Sequence, residues 1–359
     1  MLDPNNPLPK YYQLKEYLKE MIQRGEIAPG EQLPSENALV QQFGLSRHTV
    51  RQAIGELENE GWVYREQGRG TFCAFRGKTS GRTIAVLTTY ISDYIFPAII
   101  RGIEEILSAA GYTLVLANTS NDKNKEAQCL ENLINQDIAG LIVEPTKSAR
   151  ENINLAYFAE LEKKHIPYLM LHAVYPELDA AYIIMDDQKG GYLATKYLLQ
   201  LGHREVAGIF KADDLQGVKR QAGFMAALAE YGITLKQGFL GNYETEQLFS
   251  FPYQFTRNLL QKTNRPSAIV CYNDQIALQV LEAIRHEGLK VPEDISLVGY
   301  DDSSLAVASE VKLTTIKHPK AEMGRQAARL LIDMLEGRME KPRLVYEPEL
   351  VVRSSCRSL

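Results

Sequence analysis

The chain has 359 residues, 45% hydrophobic and 24% charged, with a net charge of −5. That is globular composition with length for two or three domains, and no stretch approaches the ~18 uninterrupted apolar residues of a membrane-spanning helix. The acidic balance argues against a nucleic-acid partner, but it is uneven: residues 1–82 carry 11 Lys+Arg against 10 Asp+Glu, and the remainder carries 29 against 35.

A basic face on a near-neutral domain still binds phosphate, with weak long-range steering. Cys73, Cys129, Cys271 and Cys356 lie far apart with no CxxC pair, the usage of reduced thiols rather than a zinc site or a disulfide frame. "MLDPNNPLPK" has no basic start followed by an apolar run, so a secretory signal is not expected and the chain is placed in the cytoplasm, away from membranes.

"KYYQLKEYLKEMIQRGEI" sets Leu14, Leu18, Met21 and Ile22 on one face and stops at Gly25, which predicts a first amphipathic helix. In "LPSENALVQQFG", Ser35 is placed as an N-cap, Leu39 and Phe43 face inward and Gly44 turns the chain. Ser46 caps a third helix running to about Asn59, whose apolar stripe is Val50, Ala53, Ile54 and Leu57. His48, Arg51 and Gln52 point away from that stripe, with Arg47 on its flank in the first turn. "WVYREQGRGTFCAF" then reads as two β runs, 62–66 and 70–75, joined by a glycine turn. Helix, helix, turn, helix, hairpin is the order of a winged helix-turn-helix, an α+β fold that puts Arg and polar side chains where base edges are read.

The stretch "LPSENALVQQFGLSRHTVRQAIGELENEGWVYREQGRGTF" resembles the DNA-binding domain of the gluconate-repressor family of bacterial regulators. The resemblance implies that Ser46, Arg47, His48, Thr49 and Arg51 belong to the start of the recognition helix. Glu36 would open the preceding helix near the DNA. Gln67 and Gly68 would form a wing tip entering the minor groove, with Arg69 beside them, and Lys10 would touch a phosphate. Trp62 is assigned to the core rather than to base stacking.

The winged domain is expected over residues 1–75, a polar linker over 76–82 and a second domain over 83–359. In that domain short β-rich runs ("TIAVLTT", "TLVLAN", "AGLIVEP", "PYLML", "YIIMD", "VAGIF", "SAIVCY", "ISLVGYD") alternate with helical segments. Such alternation predicts parallel sheets covered on both faces, here a two-lobed α/β body that switches lobes near 186–190 and crosses back at its C-terminal end. Ligands of such bodies lie at the carboxyl ends of the strands. The residues just past those ends are Asp93, Tyr94 and Phe96, Glu144, His172, Asp186 and Asp187, Asn273 and Asp274, and Tyr300, Asp301 and Asp302, with His318 past "LTTIK". Carboxylates, amides and aromatic faces suit a polyol, and Arg220, opening "RQAGFMAAL", can donate to neighbouring hydroxyls with its planar fork. Asp186 or Asp187 also fits the cap of the helix at Gly190, Asp274 the cap of "QIALQVL", and Glu144, before Pro145, a surface loop. His165 and His203 are read as structural or exposed rather than as ligands.

"LGHREVAGI", "YNDQIALQVLEAIRHEGLKVPEDISLVGYDD" and "LTTIKHP" resemble the lactose/galactose-repressor family, whose effector domain is similar to periplasmic sugar-binding proteins. There the positions matching Arg220, Asn273 and Asp301 contact sugar, and the one matching His318 lies beside the cleft. That family's own small helix-turn-helix and hinge helix are absent here, and a winged domain stands in their place. The combination, with "GLIVEPTKSA", "GIFKADD" and "SEVKLTTIKHPK", resembles the L-arabinose-responsive repressors of Bacillus-type bacteria. The resemblance implies a homodimer that binds double-stranded operator DNA and is released by L-arabinose, with no cofactor and no metal. The residues alone stop at a small polyol, and another sugar stays open. A sugar-transport receptor would share the second domain but not the winged helix. An enzyme is not expected, since no GxSxG, HExxH or P-loop motif occurs.

Overall fold

The computed structural model describes residues 8–28, 30–66, 68–74 and 82–359. The chain divides into two compact units, one of Met1–Gly81 and Asp333–Met339, the other of Arg82–Ile332 and Glu340–Leu359. Most of the expected linker falls outside the described residues. No helix among the described residues is long and apolar enough to cross a membrane.

The N-terminal part carries α1 (Lys10–Gln23), α2 (Glu36–Phe43) and α3 (Arg47–Asn59), then an antiparallel pair of β1 (Val63–Glu66) and β2 (Gly70–Cys73). Ser35 and Ser46 cap α2 and α3 by accepting the backbone N–H of Ala38 and Thr49, at 3.2 and 3.1 Å. Gly44 ends α2 in the left-handed region at φ 63°, as the tight turn between the helices requires. Leu14, Leu18, Leu39, Val50, Ala53, Ile54 and Leu57 form the core, and Trp62 is buried with them. One element was not foreseen. Residues 30–33 run against β2, Leu33 donating to Thr71 O and Cys73 to Glu31 O at 2.8 Å each, so the hairpin rests on a third extended segment.

In the second unit, β3 (Thr83–Thr88), α4 (Phe96–Ala109), β4 (Thr113–Asn118), α5 (Lys123–Ile134), β5 (Ile138–Val143), α6 (Leu155–Lys163), β6 (Tyr168–Leu171) and β7 (Ala181–Met185) build the first lobe. After the crossing come α7 (Asp187–Gln200), β8 (Val206–Lys211), α8 (Leu215–Glu230), β9 (Leu240–Tyr243), α9 (Phe251–Leu260), β10 (Ala268–Cys271), α10 (Asp274–His286) and β11 (Ser296–Val298). The chain closes with α11 (Leu305–Ala308), β12 (Thr315–Lys317), α12 (Lys320–Leu335), β13 (Arg343–Tyr346) and β14 (Glu349–Val351). The first sheet is six-stranded in the order β13-β7-β6-β5-β3-β4, the second four-stranded in the order β11-β10-β8-β9, and every pairing in both is parallel. β13 beside β7 is the return to the first lobe. β5 and β8 are buried at every position, as parallel strands covered on both faces must be. β9, "LGNY", was missed because a four-residue run with Gly and Asn shows no apolar alternation.

α7 and α8 touch backbone to backbone. A Cβ on Gly191 would stand 2.1 Å from the Arg220 carbonyl oxygen, and one on Gly223 would stand 1.9 Å from that of Gln188. Only glycine allows this approach, and it brings the start of α7, with Asp187, against Arg220 on α8.

Candidate functional site

On the winged unit, Arg47, His48, Arg51 and Gln52 share the exposed face of α3, opposite its buried stripe. Two of these side chains are tied to α2. Arg51 Nε donates to Glu36 Oε2 at 2.8 Å, and Arg47 Nη2 to Asn37 Oδ1 at 2.9 Å. Glu36 is therefore the partner that aims Arg51. The Ser46 and Thr49 hydroxyls lie 2.8 Å apart at the cap, where they hold the first turn whose N–H groups point outward. Lys10 is exposed at the first position of α1. At the hairpin tip, Gly68 is exposed with φ 77°, and Arg69 ion-pairs with Glu66 while its guanidinium lies 5.7 Å from the centre of the Phe72 ring. Gly70 is held by Gln32, whose amide donates to Arg69 O at 2.7 Å; a Cβ at Gly70 would meet that amide at 2.4 Å. Gln67 lies outside the described residues.

In the second unit the carboxyl ends of both sheets face a cavity of about 600 Å³, within the usual range for small-molecule sites. Asp93, Tyr94, Phe96, Glu144, His172, Arg220, Asn273 and Asp301 all line it. Asp186 does not. Its carboxylate caps α7, accepting Lys189 N–H at 2.9 Å, and its neighbour Asp187 turns inward instead. His318 lies behind the lining, its ring 5.1 Å from that of His172.

Arg220 is 2% exposed and organises the floor. Its Nε donates to Asp187 Oδ1 and its Nη1 to Tyr272 O, both at 2.8 Å, while Nη2 ion-pairs with Asp301 Oδ1 at 3.5 Å without a hydrogen bond. Its guanidinium lies 3.5 Å from the centre of the Tyr300 ring. Burial pushes Asp187 above the ordinary carboxylate range despite the opposing pull of Arg220.

Glu144 is a buried acceptor and not loop surface. It takes the Thr89 N–H at 2.8 Å and hydroxyl at 2.5 Å on one oxygen, and His172 Nδ1 at 2.8 Å on the other. Burial opposes its ionisation, but these bonds prevail and hold it below the usual range. His172 Nε2 is buried and makes no hydrogen bond among the described residues. Burial holds His318 neutral, well below the usual histidine range, with the neighbouring His172, Lys320 and Arg220 adding to the effect.

The lobes are tied across the cleft. Tyr94 Oη donates to Tyr300 O and accepts from Asp274 N–H, both at 3.1 Å, and Asn121 Nδ2 donates to Thr245 Oγ1 at 2.5 Å. Asn273, not Asp274, caps α10, accepting Ile276 N–H at 3.0 Å. Asp274 is instead a buried acceptor for Ser303 and Thr315, with a pKa pushed up to about 7 by burial and by Asp301. Tyr94, His172 and Asp301 all line the cavity with φ of 57°, 67° and 93°, a region costly for side chains with a Cβ and one that concentrates at binding sites.

Lys211, Asp214 and Tyr272 were missed. Lys211 ends β8, so the rule that selected the other rim residues reaches it too. Its ammonium lies 3.1 Å from Asp214 and 3.4 Å from Asp213. Burial works against that charge, but the two carboxylates outweigh it and raise the Lys211 pKa. Tyr272 Oη donates to Asp214 Oδ2 at 2.8 Å. Both the Lys and the Arg lining the cavity are thus already neutralised by protein carboxylates. The lining offers alcohols, amides and carboxylates, not a free cation for an anionic ligand.

The profile of bacterial regulatory proteins of the gntR family matches residues 10–73, and that of a periplasmic binding protein-like domain matches 195–356. An arabinose metabolism transcriptional repressor of Geobacillus stearothermophilus is 50% identical, the alignment covering 98% of this chain and 99% of that one. A second, of Halalkalibacterium halodurans, is 49% identical over 96% of each. Among solved structures, a LacI family transcriptional regulator from Enterococcus faecium with bound ribose superposes with a TM-score of 0.66 at 28% identity, covering 77% of this chain and 99% of that one.

Proposed function

The chain belongs to the family of arabinose metabolism transcriptional repressors, and from that premise we propose that it binds operator DNA as a homodimer and releases it when L-arabinose enters the cleft. The observation that carries the choice of ligand is the charge pairing inside the cavity. Lys211 and Arg220 are matched by Asp213, Asp214, Asp187 and Asp301, so a sugar phosphate or sugar acid would bring an unmatched negative charge into a buried site. A neutral pentose brings hydroxyls and no charge. They donate to Asp301 Oδ1, bond His172 Nε2 and accept from the Asn273 amide; neither Asp301 Oδ1 nor His172 Nε2 makes a hydrogen bond among the described residues.

At the DNA end, Arg47, His48 and Arg51 read base edges in the major groove, with Glu36 fixing Arg51 and contributing its own carboxylate. Lys10, Ser46 and Thr49 hold phosphates, and Gly68 and Arg69 carry the wing, with Gln67, into the minor groove. One reading helix and one wing cover too few base pairs for strong specificity, which is the argument for two copies. Sugar bridging Glu144 and His172 on one lobe with Arg220, Asn273 and Asp301 on the other favours one placement of the lobes. That placement alters how the paired reading heads are held.

The test is operator binding by the full-length chain at fixed salt, with and without L-arabinose, paired with sugar binding with and without operator. Linkage requires each ligand to weaken the other by the same factor. Equal sugar affinity in the two states would refute release by L-arabinose.

A further inference from the structure

Among the described residues the most exposed large hydrophobic side chain is Phe249, at 79%, and it stands at the mouth of the cavity. An apolar ring in water needs a reason when it borders a polar site. Phe249 is not on a loose loop. Leu248 N–H donates to Thr245 O at 3.2 Å and Ser250 N–H to Gln247 O at 3.1 Å, while Gln279 Nε2 donates to Leu248 O at 3.0 Å. Thr245 is hydrogen-bonded to Asp213, and it accepts from Asn121 on the opposite lobe. Directly after, Phe251 stacks on Phe255 with ring centres 5.4 Å apart. The backbone on both sides is braced, yet the Phe249 ring packs on no other aromatic ring among the described residues.

The floor and walls of the cavity supply hydrogen-bonding groups, from Glu144 and His172 on one lobe to Arg220 and Asp301 on the other. A pyranose bound by its hydroxyls to such a floor turns a C–H face outward, and that face needs an apolar cover to leave water. We infer that Phe249 is the sugar-covering residue of this repressor: its ring lies over the C–H face of the bound pentose and excludes water from the mouth. The inference rests on the sugar-binding reading of the cleft and adds a contact residue on the turn before α9, which no strand-end rule selects.

The test uses the full-length chain, its Phe249→Ala and Phe249→Trp variants, and L-arabinose by calorimetry and tryptophan emission. The chain has one Trp, Trp62, in the winged unit, so the wild-type protein is the blank for emission. Because Phe249 is exposed, its truncation opens no core cavity. Phe249→Ala is expected to weaken L-arabinose binding about tenfold, the share of an aromatic burial that a covered ring loses. Phe249→Trp is expected to hold wild-type affinity and to shift its emission to shorter wavelength with added sugar, a change the blank does not show. Wild-type affinity in Phe249→Ala, or an emission of Phe249→Trp that ignores the sugar, overturns the inference. Absence of L-arabinose binding by the wild-type protein overturns the sugar reading itself, and the cover with it.

Discussion

Arg220→Ala is the sharpest perturbation of the cleft. The guanidinium is hydrogen-bonded to Asp187 and to the Tyr272 carbonyl, paired with Asp301 and stacked on Tyr300, all in a buried site. Removing one partner of a buried ion pair leaves the other charge uncompensated, at a cost of about 3–5 kcal/mol. A domain of this size shifts its melting temperature by roughly 2–4 °C per kcal/mol, so a fall of about 6–20 °C is expected for the unit that carries the cleft. The deficit must depend on pH. Asp187 already sits above the ordinary carboxylate range, and without Arg220 it rises further above its unfolded value. A carboxylate whose folded pKa exceeds the unfolded one favours the fold while protonated and costs stability as pH rises through that window. The deficit of Arg220→Ala should therefore be larger at about pH 8 than at about pH 5. Calorimetric melts of wild type and variant across that range, with and without L-arabinose, check both points. The variant should gain no thermal stability from the sugar, where the wild type gains it by mass action. A melting temperature within about 2 °C of wild type at every pH would refute the buried-charge account.

Arg51→Ala should cost ~1–3 kcal/mol of operator affinity if its fork reads a guanine, and should relax discrimination at that base pair; fluorescence anisotropy with a substituted operator set measures both, and unchanged affinity removes Arg51 from the reading set. Gly223→Ala puts a methyl 1.9 Å from the Gln188 carbonyl. It should destabilise the cleft unit by about 1–3 kcal/mol in urea titrations. An unaltered midpoint would show that α7 and α8 yield freely. His318 is neutral in the fold and protonates in the unfolded chain near pH 6.5, so its contribution is present above that value and lost below it. His318→Phe should flatten the acid limb of the stability curve, by up to about 1.4 kcal/mol per pH unit below ~6.5, and identical limbs would contradict this.

What was legible in the sequence is what local rules determine. Serine caps, a glycine turn and apolar spacing marked α2 and α3 and placed Arg47, His48 and Arg51 on an open face, because helix geometry alone decides which side chains point away from a buried stripe. Alternating β and helical segments implied the parallel sheets, and strand ends pointed to Tyr94, Glu144, His172, Asn273 and Asp301. Which of two adjacent carboxylates turns inward was not local information. Asp186 caps α7 while Asp187 reaches Arg220, because glycines on α7 and α8 let the two backbones touch. Nor could chain order pair Glu36 with Arg51, join Glu144 to His172, match Lys211 with Asp213 and Asp214, or set Phe249 at the cavity mouth. Each of these depends on elements distant in sequence meeting in space, where burial decides which charges must be paired and leaves the remaining polar atoms for a ligand.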